Sequence, residues 1–317
     1  VRLDTERDAV DWVIGAKALA VVSAWNAMGL LDDLAKRPLR VSELRADARA
    51  IRTTLPVLLH LGLLSSDGEV LRLTETAKRL VAEKALPTQR NLETLSDLGR
   101  MLEVLKHGGP LKLTTGGTVA DDPEETERFL EMLYRLSAGT AESTFDWLER
   151  FVPAEGRVLD IGGGHGRYSR AFADRGRRAT LFDFPHVVAL AKKRHGDALE
   201  YLEGDFHEVE DFGGPYDLIL LCNIVHSESA EQNASLIQRT MKSLRSGGWL
   251  VVRDMFLDEL GRDPENAVFF GLTMLFYTQH GASPRLPEAR AWLEAAGLTQ
   301  ISVTLLDTQQ LLMGKKP

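Results

Sequence analysis

The stretch that decides the fold is residues 157–184, RVLDIGGGHGRYSRAFADRGRRATLFDF. An aliphatic run ending in Asp160-Ile161 passes into a glycine-rich turn, then an amphipathic segment, then a second aliphatic run that ends in Asp183. The pattern reads as strand, tight turn, helix, strand. Working outward, LEYLEGD (199–205), YDLILLCNIV (216–225) and GWLVVRDMF (248–256) repeat the aliphatic runs, with helical patterns between them. Such alternation predicts a parallel sheet with crossover helices. The tail differs: TQISVTLLD (299–307) and QQLLMGKK (309–316) are almost contiguous. So short a link permits only an antiparallel hairpin. The expectation is an α/β fold built on a mostly parallel, doubly wound sheet with an altered C-terminal edge.

Ahead of this region the pattern is helical. The 317 residues suggest two domains, with an all-helical first domain over 1–90 and the second over 91–317, of which 91–150 are linking helices. Within VSELRADARAIRTTLPVLLHLGLLSSDGEVLRLTETAKRLV (41–81), Ser42 is placed to cap a short helix and a second helix runs to Leu64, with Pro56 interrupting its first turns. A Ser-Asp-Gly turn then joins two short strands, giving a winged-helix arrangement. DNA binding would need cations on the second helix, where Arg52 stands nearly alone, and the net charge of -8 argues the same way. Dimerisation is the better reading, because the first helix is apolar nearly all round from Ala18 to Met28. Asp121-Asp122-Pro123 marks a helix start, and Phe129, Met132, Leu133 and Leu136 on that helix form a stripe expected to be core.

A single cysteine, Cys222, excludes an intrachain disulfide and any cysteine-cluster zinc site. No His/Asp/Glu set has metal-ligand spacing. The charged start, Val1 to Asp11, is unlike a signal peptide and no apolar run approaches a membrane span, so a soluble cytoplasmic protein is expected.

Three acids end three successive strands: Asp160, Asp183 and Asp205. In open α/β sheets, the strand ends form the ligand crevice. The glycines follow a G-x-G-x-G spacing with Asp160 ahead of them. A carboxylate there would repel a pyrophosphate and hold a cationic amino-acid portion. Asp183 suits the two hydroxyls of a ribose, a reading that fits a nicotinamide or an adenosyl ligand. Asp205 offers an acceptor for an adenine amino group.

In this order, DIGGGHGRYSRAF, FDFPHVV, EGDF, NIVH and SLRSGGWLVVRDM closely resemble the S-adenosylmethionine-dependent methyltransferases of the caffeic acid and hydroxyindole O-methyltransferase type. The resemblance implies a Rossmann-like class I methyltransferase sheet, an N-terminal winged-helix dimerisation domain, and a homodimer. It implies that Gly162 and Gly164 lie under the methionine part of the cofactor, that Asp183 binds its ribose, and that Asp205 with Phe206 holds adenine. Cys222 and Asn223 would lie beside the cofactor. His226 would be the general base, with Asp254, 28 residues on, orienting it. The usual His-Asp-Trp run reads His226-Ser227-Glu228 here, and Ser283 stands where a second acid often occurs. His165, His186 and His207 are expected at the rim.

The acceptor is expected to be a flat aromatic or polyketide-like small molecule. Its walls would come from NAVFFGLTMLFYTQHGASPR (266–285), with Phe270 and Met274 as lining residues, and from Met132. Competing readings are carbon or nitrogen methylation on the same scaffold, and a cofactor-binding relative without methyl transfer.

Overall fold

The computed structural model describes residues 4–111 and 123–317. The expected helix start at Asp121-Asp122 lies outside the described residues. The chain divides into two compact units, Val1–Gly108 and Gly109–Pro317.

The first unit contains α1 (Glu6–Ala27), α2 (Leu30–Lys36), β1 (Leu39–Arg40), α3 (Ala48–His60), β2 (Leu64–Asp67), β3 (Val70–Leu73), α4 (Glu75–Ala82), α5 (Gln89–Leu98) and α6 (Met101–His107). The hairpin β2–β3 forms where the Ser-Asp-Gly turn predicts it, and β1 joins it to give the antiparallel order β1-β3-β2. Trp25, Leu31, Leu58 and Leu71 fill the core beneath. The indole of Trp25 donates to Thr54 Oγ1 at 2.9 Å, joining α1 to α3.

Ser42 lies in a single 3-10 turn, and Asp47 caps the following helix by accepting from the Ala50 amide at 2.8 Å. Pro56 does not interrupt α3, because it sits on the exposed side and removes only one backbone donor. In α1, Val22, Ser23 and Trp25 are buried, while Val10, Trp12, Val13 and Ile14 stay about half exposed. This unit also extends past residue 90, where the sequence suggested a boundary, since α5 packs on α1.

The second unit comprises α7 (Pro123–Leu136), α8 (Ala138–Leu148), β4 (Arg157–Ile161), α9 (Arg167–Ala173), β5 (Arg178–Asp183), α10 (Pro185–His195), β6 (Glu200–Glu203), β7 (Tyr216–Cys222), α11 (Ala230–Ser243), β8 (Leu244–Asp254), α12 (Glu265–Tyr277), α13 (Leu286–Ala295), β9 (Thr299–Leu306) and β10 (Gln309–Lys315). Seven strands pair in the order β6-β5-β4-β7-β8-β10-β9. The first five are mutually parallel, and β10 runs antiparallel between β8 and β9. This is the mostly parallel sheet with a C-terminal hairpin that the sequence predicts.

Strand β7 shows why the sequence folds this way. All seven of its residues are buried, as a strand covered on both faces requires. Leu218, Leu220 and Cys222 pack in one layer with Phe145 and Phe172; Ile219 and Leu221 pack in the other with Phe256 and Leu293. Because the five parallel strands share one direction, the loops after β4, β5, β6, β7 and β8 emerge along one edge.

Helix α7 departs from the expected core stripe. Phe129, Met132 and Leu133 are half-buried, and Leu136 is 71% exposed. The helix is seated against α10 by polar contacts instead: Glu127 pairs with Lys193 at 3.1 Å and Glu131 pairs with Arg194. Between them the Tyr134 ring receives the Arg167 and Arg194 guanidinium groups at 3.6 and 4.1 Å.

Candidate active site

The glycine loop connects β4 to α9. Gly162, Gly164 and Gly166 have φ of +65°, +51° and +73°, a region in which side chains are strained. A Cβ at Gly162 would also lie 2.3 Å from Ile224 Cδ1, so the loop after β7 closes directly on the glycines. The Gly164 amide donates to Asp183 Oδ2 at 2.8 Å, which ties the glycine loop to the end of β5.

Two acids stand at this loop, Asp160 buried and Asp183 half-buried. Asp160 accepts a 2.6 Å hydrogen bond from Ser169 through Oδ2, while its other oxygen is buried without a partner among the described residues. Burial pushes its carboxyl up to about 7, with Ser169 opposing the shift. Asp183 is also raised by burial, to about 6, against the lowering effect of the Gly164 and Phe184 amides. An orphaned buried carboxylate oxygen beside a glycine cradle fits the ammonium of an amino-acid group. Each Asp183 oxygen carries one amide bond and retains lone-pair capacity for a hydroxyl.

Past β6, Asp205 Oδ1 accepts from the His207 amide at 2.8 Å and lies 2.7 Å from His207 Nδ1. Phe206 is half-buried, with its ring 4.3 Å from that of His207. At the end of β7, Cys222 is buried in the core and its thiol is raised well above its ordinary value, chiefly by burial. Asn223 adopts φ +59° and accepts from Gln309 Nε2 at 2.6 Å. Its amide oxygen is thereby committed to β10.

His226 lies in the short 3-10 turn Val225–Ser227 that follows β7. Its Nδ1 is 2.8 Å from Asp254 Oδ1, and its amide donates to Oδ2 at 3.3 Å. Asp254 ends β8, is fully buried, and accepts a third bond from the Met255 amide at 2.7 Å. A carboxylate can only accept, so Nδ1 carries the proton and Nε2 presents a lone pair when the ring is neutral. The Phe270 ring meets the imidazole edge-on at 4.8 Å. Met274 on the same helix is buried. Ser283 donates to the Ala267 carbonyl at 2.7 Å, and the neighbouring Ala282 amide donates to the His226 carbonyl at 2.9 Å. The segment before α13 therefore supports the backbone of His226 without adding an acid to the pair.

The structure brings His226, Asp254 and Phe270 together, and separately Gly164 with Asp183. Met132 sits on α7, half-buried. The sequence suggests rim positions for His165, His186 and His207, and His186 is half-buried. His165 is largely buried, with its pKa lowered to about 4, by burial first and then by the charge of Arg167. His207 joins two loops through Asp205 and Glu228; the acid at 228, in place of the usual aromatic, was the signal available for this contact.

With this geometry in place, comparisons with known proteins identify the family. The profile of the O-methyltransferase domain matches residues 107–299. Bovine acetylserotonin O-methyltransferase is 33% identical over 177 residues, spanning 54% of this chain and 49% of that protein. The chain thus spans about half of that relative. The tetracenomycin polyketide synthesis 8-O-methyl transferase TcmO of Streptomyces glaucescens is 27% identical over 94% of this chain and 93% of its own length. Among solved structures, PigF with SAH superposes with a TM-score of 0.83 at 21% identity, covering 98% of this chain and 100% of that one. Human N-acetylserotonin methyltransferase in complex with SAM gives 0.77 at 21% identity, covering 99% and 98%. The chain belongs to the O-methyltransferase family, a class of S-adenosylmethionine-dependent enzymes.

The buried acids predict a pH dependence. A carboxyl raised from 3.8 to about 7 favours the fold while protonated and opposes it once ionised. Between pH 4 and 8 Asp160 should remove on the order of 2–4 kcal/mol from the stability of the ligand-free protein, set against the opposite contribution of His165, whose lowered pKa costs stability on the acid side. Asp160→Asn should change the slope of stability against pH in denaturant titrations, its stability relative to wild type growing as pH rises from 4 to 8. An unchanged slope would contradict the assignment.

Proposed function

We propose that the protein transfers the methyl group of S-adenosylmethionine to a hydroxyl of an aromatic or polyketide-like small molecule, with His226 as general base. The observation that carries this reading is the 2.8 Å pair between His226 Nδ1 and the fully buried Asp254, beside the glycine loop at the strand ends. Relatives support the acceptor class: besides TcmO they include a 3-hydroxy-5-methyl-1-naphthoate 3-O-methyltransferase and a flavonoid 4'-O-methyltransferase.

In this reading Gly162 and Gly164 leave room for the methionine portion and Asp160 faces its ammonium. Asp183 accepts from the ribose hydroxyls, Asp205 and Phe206 hold adenine, and Cys222 and Asn223 wall the site where β7 ends. The cofactor supplies, when bound, an electrophilic methyl on a sulfonium. Nε2 of His226 takes the proton of the acceptor hydroxyl, so the oxygen attacks as an alkoxide-like nucleophile. Asp254 fixes the tautomer and stabilises the imidazolium that forms. Phe270, Met274 and Met132 supply apolar walls for the acceptor. General-base help of this kind contributes about 10²- to 10⁴-fold, and positioning supplies much of the rest.

The first unit is read as a winged-helix dimerisation domain of a soluble, cytoplasmic homodimer. Its support is the set of half-exposed apolar side chains on α1, Val10, Trp12, Val13 and Ile14.

His226→Ala should lower kcat with labelled cofactor and a phenolic acceptor by about 10²- to 10⁴-fold, while binding of S-adenosylhomocysteine stays near wild type. A loss under threefold would sink the base. By light scattering, the wild type should be a dimer and the Trp12→Glu, Ile14→Glu double variant a monomer; a wild-type monomer would refute the assembly.

A further inference from the structure

His207 stands between two carboxylates on different loops. Its Nδ1 is 2.7 Å from Asp205 Oδ1, after β6, and its Nε2 is 2.8 Å from Glu228 Oε2, two residues past His226. Neutral imidazole carries one N–H and one lone pair, and a lone pair at that distance from a carboxylate oxygen is repulsive. Only the imidazolium donates from both nitrogens, so the two contacts define its charged form. Helix α11 holds both loops from below. Its Asn233 donates to the Val225 carbonyl at 2.9 Å, and its Arg239 donates to the carbonyls of Phe206 and Val209.

We infer that His207, as an imidazolium bridging Asp205 and Glu228, is a positioning residue that holds the adenine-side loop and the loop carrying His226 in one arrangement. The inference rests on the cofactor reading given above, because Asp205 is the adenine contact in that reading. The charged groups that act on the ring are Glu228 on the loop carrying His226 and Asp205 on its own loop, while Arg239 of α11 is turned to the backbone carbonyls of Phe206 and Val209. Burial alone would lower the pKa of His207, but the bonds and charges of Glu228 and Asp205 outweigh it and the net shift is upward. The bridge is therefore formed below the raised pKa of His207 and lost as pH rises through it. Cofactor affinity should thus weaken on the alkaline side for a reason separate from the base.

The test is calorimetric titration of the full chain with S-adenosylhomocysteine from pH 6 to 9, for wild type, His207→Gln and Glu228→Gln. Titrations of Asp160 and of the ligand's own amine are common to all three, so the readout is the ratio of dissociation constants at each pH. At pH 6 wild type should bind about three- to fivefold more tightly than His207→Gln, in keeping with a bridge about one-third exposed. That ratio should fall to about one by pH 9, with Glu228→Gln lying between. A ratio that stays constant with pH, or is one throughout, overturns the inference while leaving the cofactor reading intact. Failure of the wild type to bind at any pH overturns both.

Discussion

A fully buried carboxylate at the end of β8 is the constraint on which the site depends. An unpaired ionised acid in that position would be costly, and Asp254 is stable there because the His226 amide, the His226 ring and the Met255 amide all donate to it. Those donors fix the backbone of the turn after β7 as well as the tautomer of the imidazole. Satisfying one buried acid and orienting one base are therefore the same set of contacts. The Ala282 bond to the His226 carbonyl and the edge of Phe270 complete the enclosure.

The sheet makes this arrangement possible. Parallel pairing of β6, β5, β4, β7 and β8 delivers five loops to one edge, and several of these loops are cross-linked. Gly164 bonds Asp183, Ile224 closes on Gly162, and His207 joins Asp205 to Glu228. Charge is handled differently along that edge. Asp160 and Asp183 are desolvated acids raised towards neutrality, suited to a cationic and hydroxylated ligand, whereas Asp205 is met by a histidine.

Much of this was legible in the sequence because the informative signals were periodic or local. Aliphatic runs such as 216–222 suit a strand covered on both faces, and the two-residue link Asp307-Thr308 leaves only a hairpin. The pairing of His226 with Asp254 was legible through the family resemblance, and the structure shows it across the ends of adjacent strands. What escaped the sequence depends on contacts between loops or on which face a helix uses. His207 and Glu228 are 21 residues apart with a strand between them, and no periodicity announces their meeting. The apolar positions of α7 suggested a core face, yet the helix is seated by Tyr134, Glu127 and Glu131 against cations of α9 and α10. Pro56 reads as a breaker from local rules, but its exposed placement spares α3.

The most direct test of the central claim is a crystal structure of the protein with S-adenosylhomocysteine and a phenolic acceptor. The account predicts the ribose on Asp183 and the acceptor hydroxyl within hydrogen-bond reach of His226 Nε2, on the side facing the sulfur. A ribose elsewhere, or a hydroxyl held by another group with Nε2 turned away, would contradict it.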